Sequence, residues 1–359
     1  MAGFFPTFSS VKSVAIVAPC LWRLVKKMNR DKMVKYLAYS ASLPLLTAMF
    51  LSFPIGGYTF FSEGLPSTMP MKPLPSSLPI FFFGQLIYIP LPVTLTIGQA
   101  FLVLWMLYLA LFSTSFFGPK SSLSQAVKEL IEEGPSAIFK NMALLLAVVF
   151  PVFLLGFLGF EELLNRIGLP VGQLPEVDLR ENFFLLSYAP LIEEFGFRIS
   201  IIGIAGGIVG LKTVGGIKGF LRGLWRPSDV VKGKSTAAKV NIYLLPIMLS
   251  SMLFGIAHIM YSTDWGIGKA VSAGAAGFII AIIYVVAGLP AAILLHWAFN
   301  YFSASFYYFD RLRGLPPIEL VQENVFRYTE AYVEMILLFS ATLTMVMFFL
   351  LQRKSAQHL

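Results

Sequence analysis

Long apolar runs separated by short polar stretches are the dominant pattern of this chain. Eight of the runs are long enough to cross the roughly 30 Å hydrocarbon core of a bilayer as α-helices. These predicted spans lie near residues 37–56, 93–117, 137–160, 183–208, 240–261, 270–287, 289–309 and 330–351. The weak ten-residue alternation of outer-membrane β-barrels is absent. The pattern therefore predicts an all-α fold, a polytopic integral membrane bundle of about eight transmembrane helices.

Two interruptions of the apolar pattern lie in the first half of the chain. The apolar region 79–117 is too long for one plain helix, and Pro90 and Pro92 break it. We therefore expect a short interfacial or re-entrant piece before the second span. The loop after that span contains SLSQAVKELIEE, which predicts a short amphipathic helix that ends at Gly134-Pro135.

Small residues recur at four-residue spacing in two of the later spans. They are Gly203, Gly206, Gly207 and Gly210 around the end of the fourth span, and Ala273 and Gly277 in the sixth. Such spacing lets helix backbones approach each other closely in a membrane. It predicts close helix contacts in both places rather than ligand binding.

The composition agrees with a membrane protein. The chain has 359 residues, of which 57% are hydrophobic and 13% charged, whereas a soluble domain has about 25% charged residues. The single cysteine, Cys20, excludes disulfide staples and cysteine zinc clusters. Residues 13–22 are apolar but precede their basic residues, so we expect an interfacial segment there rather than a cleavable signal peptide.

The basic residues cluster on one side of the predicted spans. If the N-terminus is cytoplasmic, 18 Lys and Arg residues fall in inside loops and tails and 7 in outside loops. This excess predicts that both termini are cytoplasmic. The net charge of +8 is therefore explained by topology, and no nucleic-acid partner is expected. Membrane lipids are expected partners, and the basic loop 211–239 could bind anionic headgroups or an acidic substrate.

The chain divides into four parts on this reading. Residues 1–36 form a basic cytoplasmic or interfacial segment, and residues 37–135 hold the N-terminal spans and loops. Residues 136–309 form the core that carries the candidate chemistry. Residues 310–359 contain a loop, the last span and the C-terminal tail.

The fourth span carries charged residues near its middle, where each costs roughly 2.5–3.5 kcal/mol on insertion scales. Glu194 and Arg198 stand four apart, so they share a helix face and can form an ion pair. Glu193 is rotated about 100° away on an α-helix, so one arginine cannot easily neutralise both acids. A general base for catalysis and an ion pair that only fixes helix packing both fit this pattern.

Two histidines lie inside other predicted spans. His258 ends the stretch FGIAH in the fifth span, and His296 begins HWAFN in the seventh. Asn300 follows His296 by four residues, so both are expected to face one cleft. A lone membrane histidine is usually a hydrogen-bonded packing residue. Two of them beside an acidic helix favour a shared site.

These residues resemble a known family. Glu193-Glu194-x-x-x-Arg198, then Phe254-x-x-x-His258 and His296-x-x-x-Asn300, match in order the signature of the type II CAAX prenyl endopeptidases. That family is part of the wider group of CAAX-protease and bacteriocin-processing (ABI-like) intramembrane proteases. The motifs lie within residues 193–300, and no motif covers residues 1–135.

The resemblance implies a role for each motif residue. Glu193 would activate a water that His258 helps to orient. His296 and Asn300 would donate hydrogen bonds to the oxyanion of the tetrahedral intermediate, and Glu194 and Arg198 would be supporting residues.

The resemblance leaves the metal question open, because members of the group have been described both as metalloproteases and as glutamate-dependent enzymes. Glu193, His258 and His296 could hold Zn²⁺ with one position left for water. The HExxH signature is absent, and a metal would remove the only candidate base from the water. We therefore expect no required cofactor, with zinc as the alternative.

The implied substrate is a peptide or lipidated protein that enters from the membrane or the cytoplasm. The best-defined substrates of the family are prenylated CaaX tails, from which the last three residues are removed. The motifs specify a hydrolytic site and not a substrate. Two other functions fit the same residues, a proton-coupled transporter and a catalytically silent immunity or scaffold protein.

Overall fold

The computed structural model describes residues 29–62, 68–172, 178–261, 264–318 and 325–356. Helices make up most of this part of the chain. They are α1 (Arg30–Phe61), α2 (Ile97–Ser115), α3 (Leu123–Glu132), α4 (Met142–Arg166), α5 (Leu179–Glu193), α6 (Ile204–Thr213), α7 (Gly216–Trp225), α8 (Thr236–Ile242), α9 (Leu244–Met260), α10 (Ile267–Ala287), α11 (Leu289–Trp297), α12 (Ser303–Leu312) and α13 (Thr329–Ala356). The π-helical segments Glu194–Gly203 and Ala298–Phe302 join α5 to α6 and α11 to α12. The interfacial segment predicted at residues 13–22 lies outside the described residues.

The all-α, multi-pass class is confirmed, and the count of eight spans is approximate. Six helical runs in the described residues are long and apolar enough to cross a membrane, or seven if α8 and α9 form one span bent by 66°. The predicted seventh span, 289–309, lies on the helical run Leu289–Leu312 and is not among them. His296, Asn300 and two serines lower the hydropathy of this run. It is also wrapped by other helices, because every residue from 289 to 298 is buried.

The two ends of the bundle can be identified from the contacts between its loops and helix termini. At the basic end, which comprises residues 29–38, 118–140 and 211–239, Val34, Val127 and Leu351 pack in one apolar cluster. Arg226 donates there to the carbonyl of Ala287, just before α11 begins, at 3.2 Å.

The opposite end comprises residues 161–172, 178–182, 264–268 and 310–318. Arg180 donates there to the carbonyl of Ser62, and Lys269 pairs with Glu161 at 3.1 Å. The ring of Phe309 lies 6.1 Å from that of Tyr58 near the end of α1. The run Leu289–Leu312 therefore joins the two ends, even though it is not apolar enough to be recognised as a span.

A β-hairpin occupies the place of the predicted interfacial or re-entrant piece. Strands β1 (Ser77–Phe82) and β2 (Gln85–Pro90) pair antiparallel through a two-residue turn. Both turn residues have positive φ, 49° at Phe83 and 77° at Gly84, as a type I′ turn requires. The open end of the hairpin lies towards the opposite end of the bundle, where Tyr188 donates to Pro79. Its turn contacts Ser200, which lies further along the charged run than Glu193. It is the one element in the described residues that departs from an all-helical chain.

The glycine spacing in α6 produces the predicted close contact. A side chain on Gly210 would overlap the carbonyl oxygen of Gly219 in α7, and one on Gly206 would lie 2.7 Å from the carbonyl oxygen of Gly223. In the sixth predicted span, Ala273 packs in one cluster with Phe254 of α9, and a side chain on Gly277 would lie 2.9 Å from the Phe254 ring. The second contact fixes the helix that carries His258.

We predict that Gly210→Ala lowers the thermal stability of the purified protein. The added methyl would meet a backbone carbonyl that cannot move independently, and such overpacking costs about 1–3 kcal/mol. Gly156→Ala is the matched control, because nothing lies within 4 Å of a side chain there and alanine is the better helix former by about 1 kcal/mol. Equal midpoints for the two variants in a detergent unfolding assay would contradict the contact.

Candidate active site

The charged span changes its helical geometry at the candidate base. α5 ends at Glu193, and the wider π-helical turns begin at Glu194 and continue to Gly203. π-helical turns are rare and often lie at functional sites. The run from Leu179 to Thr213 is nevertheless continuous, 35 residues long. The two adjacent glutamates therefore lie on one continuous helical run, at the point where its α-helical turns become π-helical.

Glu194 and Arg198 form the ion pair that their spacing predicts. Arg198 Nε lies 3.2 Å from Glu194 Oε2, and neither side chain is accessible to solvent. The guanidinium also lies over the ring of Phe254, 4.6 Å from its centroid. A buried pair of this kind contributes little net stability, but it leaves an uncompensated charge if one partner is removed. The pair stands behind the site, since Glu193 and not Glu194 lines the cavity described below.

His296 lies between the two carboxylates. Its Nδ1 is 2.8 Å from Glu194 Oε1, and its Nε2 is 3.5 Å from Glu193 Oε2. A neutral imidazole has one donor and one acceptor, so both nitrogens can donate only when the ring carries a second proton. The seventh predicted span thus brings its histidine to the acidic helix and links Glu193 to the ion pair.

His258 and Glu193 line one small cavity. It has a volume of about 130 Å³, and its wall is formed by Phe81, Glu193, Phe197, Phe254, Ala257, His258, Tyr261 and Trp265. His258 Nδ1 lies 2.8 Å from the carbonyl oxygen of Phe254. Because a carbonyl only accepts, Nδ1 carries the proton and Nε2 of a neutral ring is left as an acceptor. A water in this cavity could therefore donate to both Nε2 and a Glu193 oxygen.

Asn300 is placed differently from its predicted partner. It lies half-buried in the π-helical segment Ala298–Phe302, four residues beyond His296 on the same run. In the described part of the chain its side chain makes no hydrogen bond and does not line the cavity. The structure therefore brings together Glu193, Glu194, Arg198 and His296, with His258 across the cavity, and Asn300 makes no hydrogen bond to any of them.

The donor set does not form a metal site. Among the described residues, no three His, Cys, Asp or Glu side chains are arranged to hold a metal ion. Glu193, His258 and His296, the candidate zinc ligands, are likewise not arranged to hold a metal ion. His258 and His296 instead direct ring nitrogens at a backbone carbonyl and at carboxylates. The chemistry proposed below uses no metal.

Several cavity residues had no signal in the sequence. Phe81 comes from the hairpin, with its ring 5.0 Å from Phe197 and 5.6 Å from Tyr261. The ring of Phe254 packs against both histidine rings, with its centroid 4.8 Å from that of His258 and 5.9 Å from that of His296. Phe254 stands in a motif, but Phe81 lies far from every motif in the chain. Only the three-dimensional arrangement identifies it as part of the site.

The fold and site define an integral multi-pass membrane protein with a glutamate–histidine cluster inside its helix bundle. Residues 179–302 match the family model of the type II CAAX prenyl endopeptidases, Rce1-like. The resemblance is thereby confirmed for this segment, which contains all seven motif residues, and the match supports a protease. Searches of curated proteins and of solved structures found no match. The β-hairpin lies outside the matched residues.

We predict that Arg198→Met destabilises the protein strongly, by about 3–5 kcal/mol, because it leaves Glu194 buried without its partner. The double variant Glu194→Gln/Arg198→Met should recover part of this loss, since it removes both charges. Thermal unfolding of the purified proteins in detergent measures both effects. A single variant as stable as the parent, or a double variant no better than the single, would show that the pair is not coupled.

Proposed function

We propose that the protein is an intramembrane endopeptidase that hydrolyses a peptide bond with a water activated by Glu193. The observation that carries this proposal is the placement of Glu193 and His258 on the wall of one cavity. Peptide hydrolysis needs a base, a water and a group that stabilises the oxyanion. The first of these is Glu193, which reaches the cavity, while Glu194 is buried behind it.

His258 orients the attacking water. Its Nδ1–H is held by the carbonyl of Phe254, so Nε2 accepts one hydrogen of the water while Glu193 accepts the other. Proton transfer to the Glu193 carboxylate then leaves hydroxide to attack the carbonyl carbon. The protonated Glu193 later returns this proton to the leaving amine, and the carboxylate is regenerated.

His296 lies next to Glu193 and offers it a hydrogen-bond donor when its ring carries both protons. Its contact with Glu194 at 2.8 Å fixes the ring, and the same contact keeps a proton on Nδ1. Once Glu193 has taken the proton of the water, a protonated Nε2 can donate to the oxyanion. Asn300 is the second oxyanion donor implied by the family resemblance, and it must approach the site when substrate binds to fill this role.

The substrate class that fits best is a lipidated peptide, in particular a prenylated CaaX-type C-terminus that loses its last three residues. The match to the type II CAAX prenyl endopeptidases supports this choice. The cavity is lined mainly by aromatic side chains, which suits the apolar residues of such a tail.

We predict that Glu193→Gln lowers peptide turnover by about 10²–10⁴-fold, the usual contribution of a general base, and leaves the thermal midpoint within a few degrees. The assay uses the purified protein in detergent with a fluorescent farnesylated peptide that ends in a Cys-aliphatic-aliphatic-Met tail, and its unprenylated form. Glu132→Gln is the matched control, because Glu132 is an exposed residue of α3, remote from the cavity.

Turnover of Glu193→Gln near that of the parent would overturn the assignment of the base. If the parent cleaves neither peptide, proton flux in proteoliposomes that depends on Glu193 would favour the transporter. The same assay after rigorous chelation tests the zinc alternative separately, since a required zinc would abolish turnover of the parent.

The orientation in the membrane is part of the proposal and has its own consequence. The excess of Lys and Arg supports a cytoplasmic position for the basic end, which holds the start of α1 and the last turns of α13. The cavity residues Tyr261 and Trp265 lie instead beside the opposite end, where Trp265 pairs with Gly172. In this orientation a peptide would reach the cavity from the non-cytoplasmic side or laterally from the membrane.

We predict that a cysteine at Lys128 is labelled by an impermeant maleimide only from the cytoplasmic side, and one at Arg166 only from the other side. Both parent residues are well exposed, with 65% and 75% of their side-chain surface accessible. The two variants are made in a Cys20→Ser background and labelled in sealed vesicles of known orientation. The reverse result would place the termini outside and the cavity end in the cytoplasm.

A further inference from the structure

The two edges of the β-hairpin can be assigned from its register. The two-residue turn makes Phe82 and Gln85 a hydrogen-bonded pair, and antiparallel pairs alternate from there. Pro79 is consistent with this alternation because it has no N–H to give to the ladder. The pairs whose backbone groups point away from the hairpin are therefore Phe81–Leu86, Pro79–Tyr88 and Ser77–Pro90.

The outer edge of β1 is covered by the charged span. Pro79 accepts a hydrogen bond from the Tyr188 hydroxyl at 2.8 Å, and Phe83 donates to the Ser200 hydroxyl at 3.1 Å. Gly196 lies directly against Phe81, and a side chain at this glycine would overlap it. This edge has no room for another strand.

The outer edge of β2 is largely open. The N–H of Leu86 donates to the Tyr261 hydroxyl at 3.2 Å. Within the described residues, the N–H and C=O of Tyr88 and the C=O of Leu86 have no partner, and Tyr88 is 65% exposed. Open strand edges do not occur against lipid, because each unsatisfied backbone group costs several kcal/mol there. Any part of this edge that faces lipid therefore needs a partner.

The position of the edge indicates which partner it takes. Tyr261 bonds to Leu86 and also lines the cavity with Glu193 and His258. Phe81, the cross-strand partner of Leu86, lines the same cavity. A strand added beside Leu86 and Tyr88 would therefore run past the cavity wall. Extended peptides commonly bind by adding a strand to an exposed edge, with main-chain hydrogen bonds that tolerate many sequences.

We propose that the β2 edge at Leu86 and Tyr88 binds the peptide chain of the substrate as an added β-strand next to the catalytic cavity. This inference rests on the proposed function, since it takes the peptide of an endopeptidase as the occupant. It gives a role to a hairpin outside the matched protease segment. It also separates main-chain binding by the hairpin from the chemistry of Glu193 and His258.

The test compares Tyr88→Pro with Tyr88→Ala. Both remove the tyrosine side chain, but only proline removes the N–H that points away from β1. Proline is tolerated at strand edges, and the hydrogen bonds within the hairpin are retained. In the Glu193→Gln background, the farnesylated peptide should bind Tyr88→Pro about threefold to tenfold more weakly than Tyr88→Ala, the effect of one main-chain hydrogen bond. Fluorescence anisotropy in detergent measures both dissociation constants.

A second measurement does not depend on proline folding in the strand. A photo-crosslinking benzoylphenylalanine at position 88, again with Glu193→Gln, should capture the same peptide. The matched control is the same residue at position 106, since Met106 is 56% exposed on α2. Crosslinking at 88 and not at 106 supports the proposal, whereas equal yields at the two positions overturn it.

The outcomes separate this proposal from the proposed function. Absent turnover by the parent enzyme contradicts the endopeptidase, whereas equal peptide affinities of Tyr88→Pro and Tyr88→Ala contradict only the added strand. A lower thermal midpoint of Tyr88→Pro with unchanged peptide affinity also contradicts it, because another segment or a second copy would then cover the edge.

Discussion

Charge balance in an apolar interior is the constraint on which this structure depends. Glu193, Glu194 and Arg198 lie on one helical run inside the bundle, and the sum of their charges is negative when both acids are ionised. His296 lies between the two carboxylates, with Nδ1 2.8 Å from Glu194 and Nε2 3.5 Å from Glu193. An unpaired ion at this depth would be very costly, so the helix that carries His296 has to pack against the helix that carries the acids.

That requirement accounts for the unusual properties of the run Leu289–Leu312. Its polar residues make it a poor transmembrane helix by hydropathy, yet it lies at the centre of the bundle. Trp297 and Tyr301 stack on each other with ring centroids 5.6 Å apart, and both are in contact with the ring of Phe53 from α1. Aromatic packing on one face holds the run in place while His296 faces the acids on the other. A helix that never meets lipid does not need an apolar surface all round.

Much of this arrangement could be predicted from the sequence, and the remainder has identifiable reasons. The spans follow from apolar length, and the Glu194–Arg198 pair follows from four-residue spacing, which the first wide turn tolerates. Four-residue spacing also predicts that Asn300 shares a cleft with His296, but its side chain makes no hydrogen bond within the described residues, and the sequence pattern does not account for this. The hairpin has no clear signal in the sequence, because its strands are short and apolar and Pro90 and Pro92 indicate only a break in a helix.

The π-helical turns and the hairpin together determine the space around the site. A hydrolytic site inside a membrane needs space for a water and a peptide, whereas close-packed helices leave none. The π-helical segment places Gly196 where Phe81 can lie against the backbone, so the hairpin, and not another helix, closes the space between α5 and α9. A hairpin lines that space with backbone groups as well as side chains. A bound peptide can form hydrogen bonds with the free backbone groups of a strand edge, whereas the backbone groups inside a helix are already paired. The charged residues are therefore held by their contacts with one another, whereas the hairpin that covers them lies outside the matched segment.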